Sequence, residues 1–212
     1  MGKEKILLVE GINDRSVIQG LMSKHNVAQE FTFAIATGVD NLFQQLDLYL
    51  KNTTAYGVIG IVVDADKDAN SRWQQFKDRL NKTGKYDCKQ MSLVDGGMII
   101  EAVEKDLDAK VGIWIMPNNK YKGTLENFLL KMIPKDDKLI NEVERELTYI
   151  ESEGLRRYRD VDRNKAKVQT FLAWGNKPGI SINTAILSRV LDSNSDIAML
   201  FIGWLIRLFK NY

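Results

Sequence analysis

The chain has 212 residues, enough to bury one full hydrophobic core, and its 44% hydrophobic and 27% charged residues are ordinary for a globular protein. A formal net charge of +2 gives no global attraction for nucleic acid, so such a partner would require a local basic patch. One cysteine and one histidine exclude an intramolecular disulfide and a Cys/His zinc site, and they favour a reducing, cytoplasmic location.

The first two thirds of the sequence alternates between strand-like and helix-like segments. Short Val/Ile-rich runs predict strands, and apolar residues spaced three and four apart predict helices. The strands are expected over residues 5–10, 31–36, 58–63, 90–94 and 111–116, and the helices over 13–24, 39–50 and 69–80. This alternation predicts an α/β fold, Rossmann-like, with a mostly parallel sheet flanked by helices.

After the loop signal Pro117-Asn118-Asn119 the chain is expected to be helical to its end. The helices are expected over residues 124–132, 137–150, 160–174, 183–191 and 196–209, with a flexible connection over 153–160. We therefore predict an α/β core over 1–133 and an all-helical C-terminal extension over 134–212, packed on the core as one compact domain.

No signal peptide or membrane span is expected. The N-terminal apolar run is too short for a signal peptide. The most apolar stretch, 197–206, is shorter than the roughly 20 residues of a membrane span, so we interpret it as a helix in the core or at a dimer interface.

Carboxylates follow two of the predicted strands at the point where each strand ends. Glu10 and Asp14 follow the first strand, and Asp64 and Asp66 follow the third. Ligands of open α/β sheets bind beyond the carboxyl ends of the strands. If the two ends are adjacent, the four carboxylates repel one another, and a divalent cation such as Mg²⁺ or Mn²⁺ would relieve that repulsion.

Each of these residues also has a purely structural interpretation. Asn13 or Asp14 could cap the first helix, and Asp66 or Asp68 could cap the helix after the third strand, which is our main interpretation of Asp68. Gly11 provides either a sharp backbone turn or a close approach for a phosphate. Asp64 and Asp66 favour an ion site, because residues i and i+2 of an extended strand point to the same side.

The segments Val9-Glu10-Gly11-x-x-Asp14 and Val63-Asp64-Ala65-Asp66 together resemble the Toprim (topoisomerase–primase) domain. The signature of that domain is a glutamate after the first strand and a DxD sequence after the third. Within the superfamily, the chain is similar to the overcoming-lysogenisation-defect (OLD) family nucleases and to small stand-alone Toprim-like proteins. The signature covers residues 5–116, and Ala69 replaces the glycine of the usual DxDxxG sequence.

The resemblance implies a nuclease site with two Mg²⁺ or Mn²⁺ ions. Glu10, Asp64 and Asp66 would hold one ion, while Asp14 would share it or help to hold the second. Glu126 resembles the glutamate of a leucine–glutamate motif in the family and would supply a further acid. The alternative is that Glu126 is simply an acid in the first turn of a helix, where it complements the helix dipole.

The segment 154–177 is basic, with seven Lys or Arg residues against two Asp. Such a cluster predicts a surface for the phosphates of nucleic acid, and its alternative is a solvated helix face. The residues assigned to nucleic-acid binding are Arg156, Arg157, Arg159, Arg163 and Lys177. The resemblance also implies a catalytic lysine that acts on the charge developing at the phosphate, with Lys165 or Lys167 as candidates and Lys177 as a third.

These features predict a divalent-metal-dependent phosphodiesterase acting on nucleic acid, with DNA expected ahead of RNA. The sequence has no Walker-type phosphate loop, and the resemblance implies a separately encoded ATPase partner and a setting in phage defence. One alternative is a non-catalytic Toprim-like module that binds metal or nucleic acid as a regulatory subunit. A small-molecule phosphatase with Asp64 as nucleophile ranks last, because the DxD sequence lacks the usual Thr or Val and the Glu10 cluster would have no role.

Overall fold

A five-stranded sheet forms the centre of the computed structural model, which describes residues 3–210. The strands are β1 (Glu4–Val9), β2 (Thr32–Ile35), β3 (Tyr56–Asp64), β4 (Met98–Ile100) and β5 (Lys110–Met116). Their order is β2-β1-β3-β5-β4, and only the edge strand β4 runs antiparallel to its neighbour. The predicted α/β class with a mostly parallel sheet is confirmed.

Eight α-helices of residues 3–210 surround the sheet or follow it. They are α1 (Ile12–Lys24), α2 (Val39–Lys51), α3 (Ala69–Lys82), α4 (Leu125–Leu130), α5 (Leu139–Ser152), α6 (Arg163–Trp174), α7 (Ile182–Leu187) and α8 (Asp196–Phe209). Short 3-10 turns occupy Thr53–Ala55 and Asp160–Asp162. The predicted helical C-terminal part is thereby confirmed.

Two predicted elements differ from the structure. The strand expected over 90–94 is wrong: this segment is a loop, and Met91 and Leu93 pack from it against one hydrophobic cluster of the core. The helix expected over 183–191 ends at Leu187, because the chain then takes a left-handed residue at Arg189 and Val190 N donates back to Ala185 O at 2.9 Å.

The sheet separates two hydrophobic clusters. One face is covered by α2 and α3 and the other by α1 together with the C-terminal helices. On the second face, α8 lies against β5 so closely that a Cβ atom added to Gly112 would be 2.3 Å from Leu208. Phe201, Trp204 and Leu208 of α8 are buried there, which confirms that the most apolar segment is a core helix. Most of this segment, which the sequence also offers for a dimer interface, therefore packs within the chain.

The same hydrophobic cluster contains residues from both sides of the predicted division at 133/134, including Leu129, Val143, Val168 and Leu208. The division into two parts stays a prediction, and residues 1, 2, 211 and 212 at the ends of these parts lie outside the described residues. None of the helices between residues 3 and 210 combines the length and apolar composition that a membrane crossing requires.

The strand order creates a topological switch point between β1 and β3. From β1 the chain passes through α1 to β2 on one side, and it returns through α2 to β3 on the other side of β1. In open α/β sheets, ligands bind in the crevice at the carboxyl ends of the strands where the order reverses. The residues that follow β1 and β3 therefore lie at the position where a ligand is expected to bind.

Candidate functional site

Glu10 and Asp64 lie together at the switch point. Glu10 follows β1, Asp64 is the last residue of β3, and the two strands are hydrogen-bonded neighbours in parallel register. The Glu10 carboxylate oxygen Oε2 accepts a hydrogen bond from the backbone N–H of Asp64 at 3.3 Å. The sequence-based expectation that the two acidic clusters are adjacent is therefore met by the fold.

Asp14 lies in the first turn of α1 and is only 6% exposed. Its Oδ2 accepts a hydrogen bond from Gly11 N at 2.8 Å, so the capping interpretation holds, with Asp14 at the third helical position and Gly11 as the N-cap. Gly11 has an extended backbone (φ −148°, ψ 177°) that any residue can adopt. The chain bends at residues 10 and 11 as expected, but the bend does not depend on the conformational freedom of glycine.

The buried carboxyl groups raise one another's pKa. Burial, followed by the negative charges of Asp14, Glu10 and Glu126, raises the pKa of Asp64 to about 9. Burial likewise raises the pKa of Asp14 to about 7, with the charge of Glu10 adding to it and the Gly11 hydrogen bond opposing it. The pKa of Glu10 is also raised, mainly by burial, while its bond from Asp64 N lowers it.

Glu126 joins this group from the start of α4. Its Oε2 accepts a hydrogen bond from the Thr124 hydroxyl at 2.7 Å, which fixes the side chain at the helix start. The same helix start binds Asp64, because Leu125 N donates to Asp64 Oδ1 at 2.8 Å. Glu126 is therefore an acid in the first turn of α4 and lies close to the other acids, while its role as a further metal ligand stays a prediction.

Asp66 departs from the expected geometry. It has a left-handed backbone (φ 54°), so the extended conformation that would align it with Asp64 ends before it, and that part of the prediction is wrong. Its Oδ2 instead accepts a hydrogen bond from Arg72 Nη2 at 2.6 Å, while Arg72 Nε donates to Asp64 O at 3.0 Å. Sequence reasoning missed Arg72; the signal was a basic residue one turn beyond Asp68 in the helix that follows the DxD sequence.

Asp68 caps α3, as its main interpretation predicted. Its carboxylate accepts hydrogen bonds from Asn70 N at 3.2 Å, from Ser71 N at 2.9 Å and from the Ser71 hydroxyl at 2.6 Å. These bonds, the Ser71 hydroxyl first, lower the pKa of Asp68, opposite to the direction seen for the buried acids. Asp68 thus serves the helix and makes a suitable control for the acidic group.

The donors of the acidic group are all carboxylate oxygens, which are the hard ligands that Mg²⁺ and Mn²⁺ prefer. However, no three His, Cys, Asp or Glu side chains among residues 3–210 are arranged to hold a metal ion. Glu10, Asp14 and Asp64 instead accept hydrogen bonds from nearby backbone N–H groups, Asp66 accepts one from Arg72, and Glu126 accepts one from the Thr124 hydroxyl. The donor chemistry therefore fits a divalent cation, and binding would require the carboxylates to rotate from these local partners.

The two candidate lysines lie in different surroundings. Lys165 Nζ is 3.7 Å from Glu126 Oε1, so it reaches the acidic group from α6. Lys167 Nζ is 2.7 Å from Glu144 of α5, away from that group. Lys177 is exposed in the loop between α6 and α7.

Most basic residues of the segment 154–177 form ion pairs, some with acids of α4 and α5 that lie outside the segment and some with its own two Asp residues. Arg163 forms ion pairs with Glu144 at 2.7 Å and with Glu151 at 2.9 Å, both on α5. Arg163 and Lys167 lower the pKa of Glu144 to about 2. Two further arginines pair locally, Arg156 with Asp160 and Arg159 with Asp162. Arg157 is exposed, and nucleic-acid binding by this segment stays a prediction.

A comparison with models of protein families found one match, over residues 4–210, to the family described as "Protein of unknown function (DUF3226)". No curated protein and no solved structure matched the chain. The resemblance to Toprim domains therefore stays a prediction from the two acidic segments. Because the family model covers almost the whole sequence, this chain belongs to the DUF3226 family.

Proposed function

We propose that this protein is a divalent-metal-dependent phosphodiesterase that acts on nucleic acid, with DNA expected ahead of RNA. The observation that carries the proposal is the convergence of Glu10, Asp14 and Asp64 at the switch point of the sheet. Carboxyl groups that are buried together favour the neutral form, and a cation restores their charge. Strongly perturbed pKa values of this kind are concentrated at functional sites.

Mg²⁺ or Mn²⁺ would supply an activated water and would stabilise the leaving oxygen of a phosphodiester. Glu10, Asp64 and Asp66 would hold one ion, and Asp14 and Glu126 would complete the ligand set for a second. For this role Asp66 must exchange its hydrogen bond with Arg72 for the ion. The proposal thus includes a local rearrangement at the site.

Lys165 supports the proposal from the other side of the site. Its ammonium group lies near Glu126, at the edge of the acidic group, where a phosphate bound to the carboxylate-held cation would also lie. A positive charge placed there stabilises the negative charge that develops on a phosphate during cleavage. The ion pair of Lys167 with Glu144 favours Lys165 for this role.

The partners follow from the Toprim resemblance and are proposed with it. A separately encoded ATPase would be the partner, and phage defence would be the setting. A homodimer is also proposed, but the buried face of α8 is not available for its interface.

A second candidate is a non-catalytic module that binds metal or nucleic acid. One observation favours it: several carboxylates already have structural roles, Asp14 with Gly11 N and Asp64 with Leu125 N. Acids that are retained for folding alone would produce the same arrangement. This candidate predicts metal or nucleic-acid binding without turnover.

A cleavage assay separates the two candidates. Supercoiled plasmid, single-stranded DNA and single-stranded RNA would be incubated with the protein and Mg²⁺ or Mn²⁺, alone or with EDTA. We expect cleavage that EDTA abolishes, that Glu10→Gln and Asp64→Asn remove, and that the matched control Asp68→Asn retains. Cleavage that resists EDTA, or that survives Asp64→Asn, would contradict the proposal.

A further inference from the structure

A groove of about 730 Å³ opens beside the acidic residues. One wall is formed by the DxD turn and the start of α3, including Lys67 and Arg72, and the other by Lys122 from the loop before α4 and Asn164 from the first turn of α6. A space of this volume accommodates a ligand of small-molecule size, comparable to a short stretch of an extended chain. The groove therefore offers an approach to the site at Asp66.

The groove presents cations that are not neutralised within the protein. Lys67 and Lys122 are exposed, and neither belongs to an ion pair among residues 3–210, whereas Arg72 is bound to Asp66. This distinguishes the groove from the basic segment of α6, whose Arg163 and Lys167 are occupied by Glu144. Phosphate groups would find available positive charge in the groove rather than along α6.

An aromatic ring stands next to the groove. Tyr121 precedes Lys122 in the loop between β5 and α4, and it is 54% exposed. The ammonium groups of Lys120 and Lys131 lie 5.7 Å and 5.3 Å from the centre of its ring. Proteins that bind single strands combine exposed aromatic rings, on which unpaired bases stack, with cations that bind the phosphates; here a stacked base would take the place of an ammonium group that lies over the ring.

Hydrogen bonds fix this loop to the acidic site. Asp66 N donates to Gly123 O at 2.9 Å, and Gly123 N donates to Asp66 O at 3.0 Å. Asn118 Oδ1 accepts a hydrogen bond from Tyr121 N at 3.2 Å, and the buried Asn119 accepts one from the backbone of β5 at 2.7 Å. The backbone that carries Tyr121 and Lys122 is therefore held in a defined position relative to Asp66.

From these features we propose that Lys67, Tyr121 and Lys122 form a track for single-stranded nucleic acid that leads to the carboxylates. A single strand is specified because its bases are free to stack on an aromatic ring, whereas a duplex covers their faces. The inference rests on the proposed function, for which it names the substrate form. DNA and RNA share the recognised chemistry, namely unpaired bases and a phosphate backbone.

Fluorescence anisotropy in EDTA tests the track without cleavage. The probes are a short fluorescein-labelled DNA strand, the RNA strand of the same sequence and the DNA duplex. We expect the wild type to bind at least one of the single strands at least about five-fold tighter than the duplex, and Tyr121→Leu to weaken that binding at least about five-fold. The double variant Lys67→Ala/Lys122→Ala should make the negative slope of log K (the association constant) against log salt concentration shallower by about 1.4, because each lost phosphate contact removes about 0.7.

Matched variants separate loss of the track from loss of folding or of general charge. Lys51→Ala/Lys82→Ala removes the same charge at the far ends of α2 and α3 and should leave the salt slope unchanged. Tyr121→Phe keeps the stacking face and should bind like the wild type. Equal or tighter binding of the duplex, or a salt slope that the groove variants leave at the wild-type value, would overturn the track.

The track and the proposed function fail in different ways. Groove-dependent binding of single strands without cleavage under any metal condition would contradict the phosphodiesterase and leave the track standing. Metal-dependent cleavage of a single strand with unaltered affinity in the groove variants would contradict the track alone.

Discussion

Replacing Asp14 with asparagine removes a buried negative charge while it keeps an oxygen that can accept the hydrogen bond from Gly11 N. The pKa of Asp14 is raised from its ordinary value of 3.8 to about 7, chiefly by burial. The folded protein therefore retains this proton over a pH range in which the unfolded chain has lost it. As the pH rises through this range the free energy of unfolding falls, because the folded state binds more protons than the unfolded state.

The magnitude follows from the two pKa values. The difference between 3.8 and about 7 corresponds to about 4 kcal/mol of the free energy of unfolding. This cost is absent below pH 3.8, grows as the pH rises and is complete above about pH 7. We therefore expect Asp14→Asn to match the wild type at about pH 4 and to be more stable at pH 8, by up to about 4 kcal/mol.

Urea unfolding in EDTA at pH 4, 6 and 8, followed by circular dichroism, measures this difference. Asp68→Asn is the matched control. Hydrogen bonds lower the pKa of this exposed capping residue, so the variant should not become more stable than the wild type as the pH rises. An Asp14→Asn variant that is no more stable than the wild type at pH 8 would refute the reasoning about the buried carboxyl group.

Three further outcomes follow from contacts away from this carboxyl group. Gly112→Ala should destabilise the protein by about 1–3 kcal/mol in urea unfolding, because the new Cβ would lie 2.3 Å from Leu208. Gly57→Ala is the control and should cost less, because its new Cβ would lie 3.4 Å from the nearest atom. Arg163→Ala should lower the free energy of unfolding by about 1 kcal/mol at pH 7, after allowance for solvent screening. This loss should shrink as the pH falls through about 2, because Glu144 then takes up its proton. An unchanged stability at pH 7 would contradict the expectation. Arg72→Gln should raise the affinity for Mn²⁺ about five-fold in calorimetry, because the guanidinium group of Arg72 competes with a cation for Asp66. A weaker affinity would show that Arg72 supports the site instead.

Local patterns predicted the sheet because its central strands are apolar without interruption. The run over 58–63 has Val or Ile at five of six positions, and it forms the middle of β3 in the structure. The run over 90–94 has fewer apolar residues, and the loop uses them for packing while a three-residue edge strand begins only at Met98. Short edge strands depend on tertiary neighbours, so the sequence alone could not locate this one.

The position of the acidic site was predictable, and the arrangement within it was not. The adjacency of Glu10 and Asp64 follows from two parallel strands that end in carboxylates. The side chain of Asp66 could not be placed, because its backbone is left-handed and pairs with Gly123, a residue distant in the sequence. Contacts between distant segments decide such details.

The charge of the C-terminal part illustrates the same limit. A count along the sequence makes the segment 154–177 strongly basic. In the fold, α5 lies beside α6, and its Glu144 and Glu151 form ion pairs with Arg163. Part of the positive charge of the segment is therefore neutralised within the protein. Lys67 and Lys122 of the groove lie far apart in the sequence, and only folding places both of them at one cavity.

Calorimetric titration of the protein with Mn²⁺ tests the central claim most directly, because it asks whether the carboxylates at the switch point hold a divalent cation. The wild type should bind Mn²⁺, the Asp64→Asn and Glu10→Gln variants should lose that binding, and Asp68→Asn should retain it. Absence of Mn²⁺ binding by the folded wild type, or binding that persists unchanged in Asp64→Asn, would contradict the account.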